Sequence, residues 1–323
     1  MLREPGSLRE ASIGSSRSAS GRPAVVVEGL RKAYADVQAL ADVTFTIERG
    51  EVFALVGPNG AGKTTAVEIL EGHRERNAGM VSVLGLDPAN GGTEFRSQIG
   101  IVLQAAGLEE ELTPYELLEH YATYYPSPRH VEEVLAEIDL ADIAGRRVRT
   151  LSGGQRRRLD LGLALIGDPE ILFLDEPTTG FDPAARRAAW GLIAGLRDRG
   201  VTIVLTTHYM EEAQVLADRV AIIVGGRITA EGTPAGLSAS QGTQLRFRMP
   251  DGIGIDELPE PVRSRGRLEG QYAIASVTEP TRTLQILTAW AIERRCELAE
   301  LSVRPASLED VYLRLTAETD DHG

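Results

Sequence analysis

Eight consecutive residues near the start of the chain have the types and spacing of a phosphate-binding loop. Gly57 to Thr64 reads Gly-Pro-Asn-Gly-Ala-Gly-Lys-Thr, which fits the pattern of glycine, any four residues, glycine, lysine and threonine. The glycines let backbone N–H groups turn toward phosphate oxygens without a clash from Cβ. We expect Lys63 to reach the β- and γ-phosphates of a nucleotide and the Thr64 hydroxyl to bind Mg²⁺. A plain glycine-rich turn is the alternative.

The segments on both sides of this loop are of the kind that would position it. The run Val-Phe-Ala-Leu-Val before the loop is typical of a buried strand, and the segment that opens at Thr65 is typical of a helix. A helix that starts at the loop directs the positive end of its dipole at the phosphates. The order strand, loop and helix therefore supports a phosphate site.

A pair of adjacent carboxylates follows a second apolar strand. Ile-Leu-Phe-Leu runs directly into Asp175 and Glu176, which places both acids at the carboxyl end of a strand, where open α/β sheets bind ligands. Asp175 suits a Mg²⁺ shell, and Glu176 is suited to polarise an attacking water. An exposed acidic turn is the alternative, and the phosphate loop in the same chain makes it the weaker one.

Between these two motifs lies the pentapeptide Leu-Ser-Gly-Gly-Gln, from Leu151 to Gln155. Ser152, Gly153 and Gly154 open a segment typical of a helix, and bare N–H groups at a helix N-terminus attract anions. The chain therefore carries two glycine-rich helix starts that could each bind phosphate.

Residues from about 25 to 234 resemble the ATP-binding subunit of ABC transporters, because the pentapeptide matches the signature motif of that family letter for letter. The resemblance implies that Tyr34 stacks on adenine and that Asp182 lies in the loop after the acid pair. Phe181, where the family more often has leucine, is the one visible departure and leaves Asp182 in place. A P-loop kinase or GTPase would not account for the signature.

The resemblance also implies which residues bind and react. The ATP-binding residues are Tyr34, Gly57, Pro58, Asn59, Gly60, Ala61, Gly62, Lys63, Thr64, Thr65, Ser152, Gly153, Gly154, Gln155 and Asp182. The catalytic residues are Glu176, His208 and Gln104, and the Mg²⁺ ligands are Thr64, Gln104 and Asp175. A neutral amide at Gln104 suits contact with both the metal and the attacking water, and His208 suits donation of a hydrogen bond to the γ-phosphate.

The same resemblance implies partners and an assembly. In the family, the signature of one subunit closes on the γ-phosphate held by the other, so we expect a head-to-tail homodimer with two ATP molecules between the chains. It also implies a separate integral-membrane permease and a place at the cytoplasmic face of the cell membrane.

Composition limits the alternatives. The chain has 323 residues, a formal net charge of −13 and a single cysteine, Cys296. The acidic balance argues against a nucleic-acid partner, and one cysteine excludes an intrachain disulfide. No apolar run approaches the roughly 20 residues that a membrane helix needs.

The predicted fold is α/β: a P-loop NTPase unit with an antiparallel β layer and an inserted helical subdomain, plus a small C-terminal α/β domain. We expect a disordered leader over 1–23, the ATP-binding domain over 24–234 with its helical subdomain at about 105–165, the C-terminal domain over 235–318 and a tail over 319–323. Within the C-terminal domain, strands are expected at 244–249, 271–277 and 296–303, with helices at 283–295 and 307–316.

The last of these helices is similar to the end of the daunorubicin-resistance branch of the ABC ATPases, which pairs with a multi-spanning permease and exports drugs. A generic amphipathic helix that stabilises a dimer remains the alternative for this segment. The sequence thus predicts an ATPase subunit that powers export of a small molecule such as a drug, an antibiotic or a lipid-like compound. The alternative is an ABC-type ATPase that acts on ribosomes or DNA without a permease.

Overall fold

The fold was examined in a computed structural model that describes residues 21–102, 107–239, 242–260 and 262–320. Residues 1–20 of the expected leader, and Gln104, lie outside the described residues. Within these ranges the strands are β1 (Val25–Tyr34), β2 (Val37–Ile47), β3 (Val52–Val56), β4 (Ala78–Val83), β5 (Ile99–Val102), β6 (Ile171–Asp175), β7 (Thr202–Thr207), β8 (Arg219–Val224), β9 (Arg227–Gly232), β10 (Thr243–Arg248), β11 (Gly266–Glu269), β12 (Tyr272–Val277) and β13 (Ser302–Pro305).

The α-helices alternate with the strands over much of the chain. They are α1 (Lys63–Leu70), α2 (Gly92–Gln98), α3 (Pro114–Ala122), α4 (Val131–Glu137), α5 (Gly153–Leu165), α6 (Pro183–Asp198), α7 (Met210–Leu216), α8 (Pro234–Ala239), α9 (Val262–Arg265), α10 (Pro280–Arg294) and α11 (Leu308–Asp320). None of these described helices is both long enough and apolar enough to cross a bilayer.

A six-stranded sheet forms the centre of the molecule, with the strand order β5-β6-β7-β3-β8-β9. The first five strands are parallel and β9 runs antiparallel to β8. All five residues of β3 are buried, as expected for a parallel strand with both faces covered. Because β3, β6 and β7 are neighbours, their carboxyl ends bring the phosphate loop, the acid pair and His208 to one edge.

The two faces of this sheet pack against different layers. On one face, helices α3 to α7 contribute to an apolar cluster with the sheet residues Val52, Ala54 and Leu174. On the other face, Phe53 and Phe173 pack with α1 and with the antiparallel sheet β2-β1-β4. The predicted antiparallel β layer and the predicted helical segment between β5 and β6 are both present.

The C-terminal strands form a separate four-stranded antiparallel sheet in the order β11-β12-β10-β13. Leu245 and Phe247 of β10 pack against Leu287 and Ala291 of α10 in their own apolar cluster. The final helix does not join this cluster, because Leu308 and Val311 of α11 are buried in the core of the ATP-binding unit. Helix α11 contacts α7 and α8, so it attaches the C-terminal sheet to that unit.

Two segments of the C-terminal part differ from the sequence prediction. The strand expected over 296–303 begins only at Ser302, in β13, because Glu300 (φ +56°) adopts a left-handed conformation that interrupts an extended chain. The short edge strand β11 was not predicted. Its residues are exposed or half-buried, so its sequence lacks the alternation of apolar and polar residues that marks a half-buried strand.

Candidate active site

The phosphate loop connects β3 to α1 in a conformation that two glycines make possible. Gly62 has φ +103°, and a Cβ at this position would lie 2.4 Å from the Ala39 carbonyl oxygen. A Cβ at Gly57 would lie 2.3 Å from the Ile223 carbonyl oxygen. Gly62 is also the N-cap of α1, and no side chain caps that helix start. Its free N–H groups therefore point into a loop that is shaped to accept an anion.

Lys63 is held inside this loop. Its side chain is 5% exposed, and its Nζ donates hydrogen bonds to the carbonyl oxygens of Gly57 (2.9 Å) and Pro58 (3.1 Å). Burial lowers the pKa of the Lys63 ammonium, while Glu176 and Asp175 act in the opposite direction. The two carbonyls and two carboxylates favour the charged form of a lysine that faces the phosphate position.

The remaining loop residues surround this ammonium. Asn59 and Gly60 are exposed at the tip, Ala61 is buried, and Pro58 accepts a hydrogen bond from the Ala61 N–H at 3.2 Å. Thr64 is exposed and Thr65 is half-buried in the first turn of α1. The loop is thus open to solvent where a phosphate would enter.

Thr64, in the first turn of α1, meets Asp175 at the carboxyl end of β6. Thr64 Oγ1 lies 3.4 Å from Asp175 Oδ2, and the other carboxylate oxygen, Asp175 Oδ1, accepts a hydrogen bond from the Thr206 hydroxyl. A hydroxyl beside a carboxylate, next to a phosphate site, is a donor set that fits Mg²⁺, which usually takes one or two carboxylates together with substrate phosphates.

Glu176 follows in an unusual backbone conformation. Its φ is +47°, a left-handed value that costs a residue with a Cβ about 1–2 kcal/mol. Its N–H donates to the Thr206 carbonyl oxygen and to Thr206 Oγ1, both at 3.1 Å, and its Oε2 accepts a hydrogen bond from Thr179 at 3.1 Å. Strain of this kind clusters at functional sites.

His208 lies on the other side of this carboxylate. Its Nδ1 is 3.3 Å from Glu176 Oε1. The two groups are close enough for an ion pair but do not form a hydrogen bond. The buried Nδ1 has no hydrogen-bond partner among the described residues. The Tyr209 ring lies 4.0 Å from the imidazole, centre to centre. The structure therefore brings Lys63, Asp175, Glu176 and His208 together, while Gln104 lies outside the described residues.

Tyr34 lies at the end of β1 with its ring 38% exposed. Lys32 Nζ and Arg74 Cζ each lie 5.2 Å from the ring centre. An exposed ring with two cations beside it can stack on a base while the cations attract phosphate.

The signature residues form a different kind of helix start. Ser152 is the N-cap of α5: its Oγ accepts from the Gln155 N–H (3.3 Å), and Gln155 Oε1 accepts from the Ser152 N–H (2.9 Å). This reciprocal capping box provides acceptors for the N–H groups of Ser152 and Gln155. Gly153 is exposed and Gly154 half-buried beside it.

A cleft of about 790 Å³ lies between this helix start and the acid pair. Ser152, Gly154, Glu176 and Asp182 line it, and its described lining includes no residue of the phosphate loop. Asp182 is the N-cap of α6, since its Oδ1 accepts from the N–H groups of Ala184 (2.8 Å) and Ala185 (2.9 Å). Within one chain, the described residues therefore place the signature beside Glu176 rather than in the phosphate loop.

Three side chains near the acid pair, two buried and one half-buried, were not identified from the sequence. Thr206 bonds to both acids, as described above. Arg157 of α5 donates to the backbone oxygens of Asp175 (3.3 Å) and Pro177 (3.2 Å). Glu71, at the C-terminal end of α1, is 5% exposed. Burial, followed by the nearby carboxylates of Asp175 and Glu68, raises the pKa of Glu71 to about 8. None of the three carried a clear signal in the sequence, since β7 contains Thr202 and Thr207 as well as Thr206.

Residues 40–179 match the ABC transporter family, and residues 243–307 match the C-terminal domain of ABC transporter domain-containing proteins. A daunorubicin resistance ATP-binding protein of Streptomyces coeruleorubidus is 36% identical over 316 residues, covering 91% of this chain and 96% of that protein. The chain belongs to the ABC transporter family. It is an ATP-binding, ATP-hydrolysing subunit.

Further relatives and solved structures agree with this membership. A Nod factor export ATP-binding protein of Rhizobium johnstonii is 39% identical to this ABC subunit over 300 residues, with 91% of this chain and 94% of that protein covered. The structure of an ATP-binding subunit of an ABC transporter superposes with a TM-score of 0.60 at 30% identity, covering 67% of this chain and 92% of that one. The predicted P-loop NTPase fold is confirmed.

One similar structure shows an ATP-binding cassette as a dimer with ADP and phosphate bound after hydrolysis. It has a TM-score of 0.58 and 25% identity, and the match covers 65% of this chain and 98% of that one. Its bound products are consistent with a site for ATP in this ABC subunit.

Proposed function

We propose that this ABC subunit hydrolyses MgATP to power export of a small molecule through a separate integral-membrane permease at the cytoplasmic face of the cell membrane. The observation that carries the proposal is the convergence of Lys63, Thr64, Asp175 and Glu176 at one edge of the central sheet. The names of the relatives that export drugs or Nod factor support the direction of transport and the substrate class.

In the proposed site, the phosphate loop and Lys63 hold the β- and γ-phosphates. Thr64 and Asp175 provide oxygens for Mg²⁺, which neutralises phosphate charge when it is bound. Gln104 is proposed as a further ligand of the metal. Tyr34 stacks on adenine, and Arg74 beside its ring adds positive charge at that end of the nucleotide.

Glu176 is the proposed acceptor for the proton of the attacking water. The backbone bonds to Thr206 and the side-chain bond to Thr179 fix its position, so its carboxylate needs little reorganisation when the water attacks the γ-phosphate. His208 faces the other oxygen of this carboxylate. The imidazole is proposed as a catalytic group that holds the water or the γ-phosphate with an N–H.

The assembly proposed for this chemistry is a head-to-tail homodimer. Because the cleft at Ser152 lacks described phosphate-loop residues, the signature of one subunit is free to approach the nucleotide held by the other. Gly153, Gly154 and Gln155 would then face the γ-phosphate from the second chain, with Asp182 in the adjoining loop. In that arrangement the N–H groups at the start of α5 would donate to the phosphate in addition to the side chains of the capping box.

The proposed domain division follows the sequence boundaries of 24–234 and 235–318, with α11 as the element that attaches the second domain to the first.

An ATPase that acts on ribosomes or DNA is the alternative function, and no nucleic-acid partner is proposed.

Export can be tested by expressing the chain together with a hydrophobic protein encoded next to it. We expect the pair to lower the accumulation of a drug such as an anthracycline, and Glu176→Gln to remove that effect while the protein level stays the same. ATP hydrolysis that is stimulated by ribosomes or DNA, with no effect of any membrane partner, would support the competing function instead.

A further inference from the structure

The Thr206 hydroxyl touches both acids of the site and is assigned no role by the motifs. It lies in β7, directly opposite Asp175 in the parallel ladder between β6 and β7. The side chain is fully buried, with 0% exposure. A hydroxyl has one proton to donate and lone pairs to accept with, and this one uses both functions.

The donated proton fixes the carboxylate of Asp175. Thr206 Oγ1 donates to Asp175 Oδ1, which leaves Oδ2 on the side of the Thr64 hydroxyl, 3.4 Å away. The carboxylate is therefore held in the rotation that directs its free oxygen to the place where a metal would lie. Outer partners that orient a ligand in this way commonly change metal affinity or activity by 10–100-fold when removed.

The accepted bond fixes the backbone of Glu176. The Glu176 N–H donates to Thr206 Oγ1 as well as to the Thr206 carbonyl oxygen, each at 3.1 Å. These bonds hold Glu176 at φ +47°, a conformation that an unrestrained glutamate would leave because it is strained. A change of φ at this residue would re-aim its carboxylate.

We propose that Thr206 is a positioning residue that uses one hydroxyl to set the orientation of the metal-binding carboxylate and the backbone of the catalytic glutamate together. This inference rests on the proposed roles of Asp175 and Glu176. It places coupling between metal binding and hydrolysis in a side chain that contacts neither the nucleotide nor the metal.

The test compares Thr206→Ala with Thr206→Ser in the full chain, because these two variants differ only by the hydroxyl. Thr206→Val is included as the variant closest in shape to the native side chain. Thr202→Val is the matched control, since Thr202 is a buried residue of the same strand whose hydroxyl accepts a bond from the Gly50 N–H at 3.0 Å, away from the acids.

Two quantities are measured. Titration calorimetry gives ADP affinity with Mg²⁺ and with EDTA, and steady-state kinetics give kcat and KM for ATP at saturating Mg²⁺. The factor by which Mg²⁺ raises ADP affinity should be smaller in Thr206→Ala and Thr206→Val than in the wild type, by on the order of 10-fold. Their kcat should also fall by on the order of 10-fold. Affinity in EDTA should be nearly unchanged, KM for ATP should rise because the Mg²⁺-bound nucleotide is held less tightly, and Thr206→Ser and Thr202→Val should behave like the wild type.

Equal Mg²⁺ dependence and equal kcat in Thr206→Ala and Thr206→Ser would overturn the inference. Glu176→Gln, measured in the same series, separates this failure from failure of the proposed function. If Glu176→Gln hydrolyses ATP at the wild-type rate, the assigned site itself is wrong; if it is slow while the Thr206 variants are equal, only the positioning role fails.

Discussion

Two glycine-rich helix starts in this molecule look alike in sequence and differ in structure. Helix α1 begins at Gly62, in a left-handed conformation and with no side chain to cap it. Helix α5 begins at Ser152, which forms a reciprocal capping box with Gln155. The first helix start has no side-chain cap, whereas the second has side-chain acceptors for the N–H groups of Ser152 and Gln155.

The residues around the two helix starts also differ. The α1 start has a buried lysine and a carboxylate with one oxygen facing Thr64. The α5 start faces an open cleft lined by Glu176 and Asp182. This contrast fits the proposed assembly, in which the α1 start binds the nucleotide and the α5 start of a second chain completes the site.

The largest expected effect comes from removing the charge at the α1 start. Lys63→Ala should reduce ATP hydrolysis to background, because the loop loses the ammonium that faces the phosphates. Lys63→Arg should fail as well, since a planar guanidinium does not fit a pocket formed around Nζ by two carbonyl oxygens. ATP binding and turnover are the measurements, and near-normal turnover in either variant would contradict the assignment of the α1 start.

The next effect separates binding from reaction at the same site. Glu176→Gln keeps the size of the side chain but removes the basic carboxylate, so hydrolysis should fall by roughly 10²–10⁴-fold. ATP affinity should be at least that of the wild type, because one negative charge near the phosphates is lost. We expect an ATP-bound dimer on size-exclusion chromatography, and loss of ATP binding would show that Glu176 has a structural role instead.

A mixing experiment sharpens the contrast between the two starts. Ser152→Arg should disable the α5 start and Lys63→Ala the α1 start, so each variant alone should be inactive. In a heterodimer of the two, one composite site keeps both native starts, and part of the ATPase activity should return. Full activity of Ser152→Arg alone would mean that the signature does not complete a nucleotide site.

The far end of α1 provides a smaller, pH-dependent effect. The pKa of Glu71 is raised to about 8 in the folded protein from an ordinary 4.5, so the folded state keeps a proton that the unfolded state has lost. The free energy of unfolding therefore decreases as pH rises through this window. Glu71→Gln should raise the melting temperature by a few degrees at pH 8 and change it little at pH 5. An equal shift at both values would contradict the assigned protonation.

The smallest effect is expected at the N-cap of α6. Asp182→Ala should lower the free energy of unfolding by about 1 kcal/mol, because two N–H groups lose their acceptor. Asp182→Asn can still cap the helix and serves as the control. If Asp182→Asn keeps stability and loses ATP-driven dimerisation, Asp182 also contributes to the nucleotide interface through its charge.

Much of the ATP-binding unit could be predicted because its motifs are local in sequence. The phosphate loop, the strand before it and the acid pair are short segments whose residue types determine their conformation. The C-terminal part was predicted less well. The left-handed residue Glu300 interrupted an expected strand, and it is not a glycine or an asparagine that would have signalled such a conformation.

The sequence by itself determined the family, the phosphate loop, the acid pair and the signature helix, because each consists of neighbouring residues in a recognisable order. The tertiary structure alone determined which residues from distant parts of the chain contact these motifs. The order β6-β7-β3 brings Thr206 against both acids, and the packing of α11 joins the last residues to the core of the ATP-binding unit. Residues this far apart along the chain come into contact because of the order of the strands and the packing of the core. A local pattern of residue types contains no information about either.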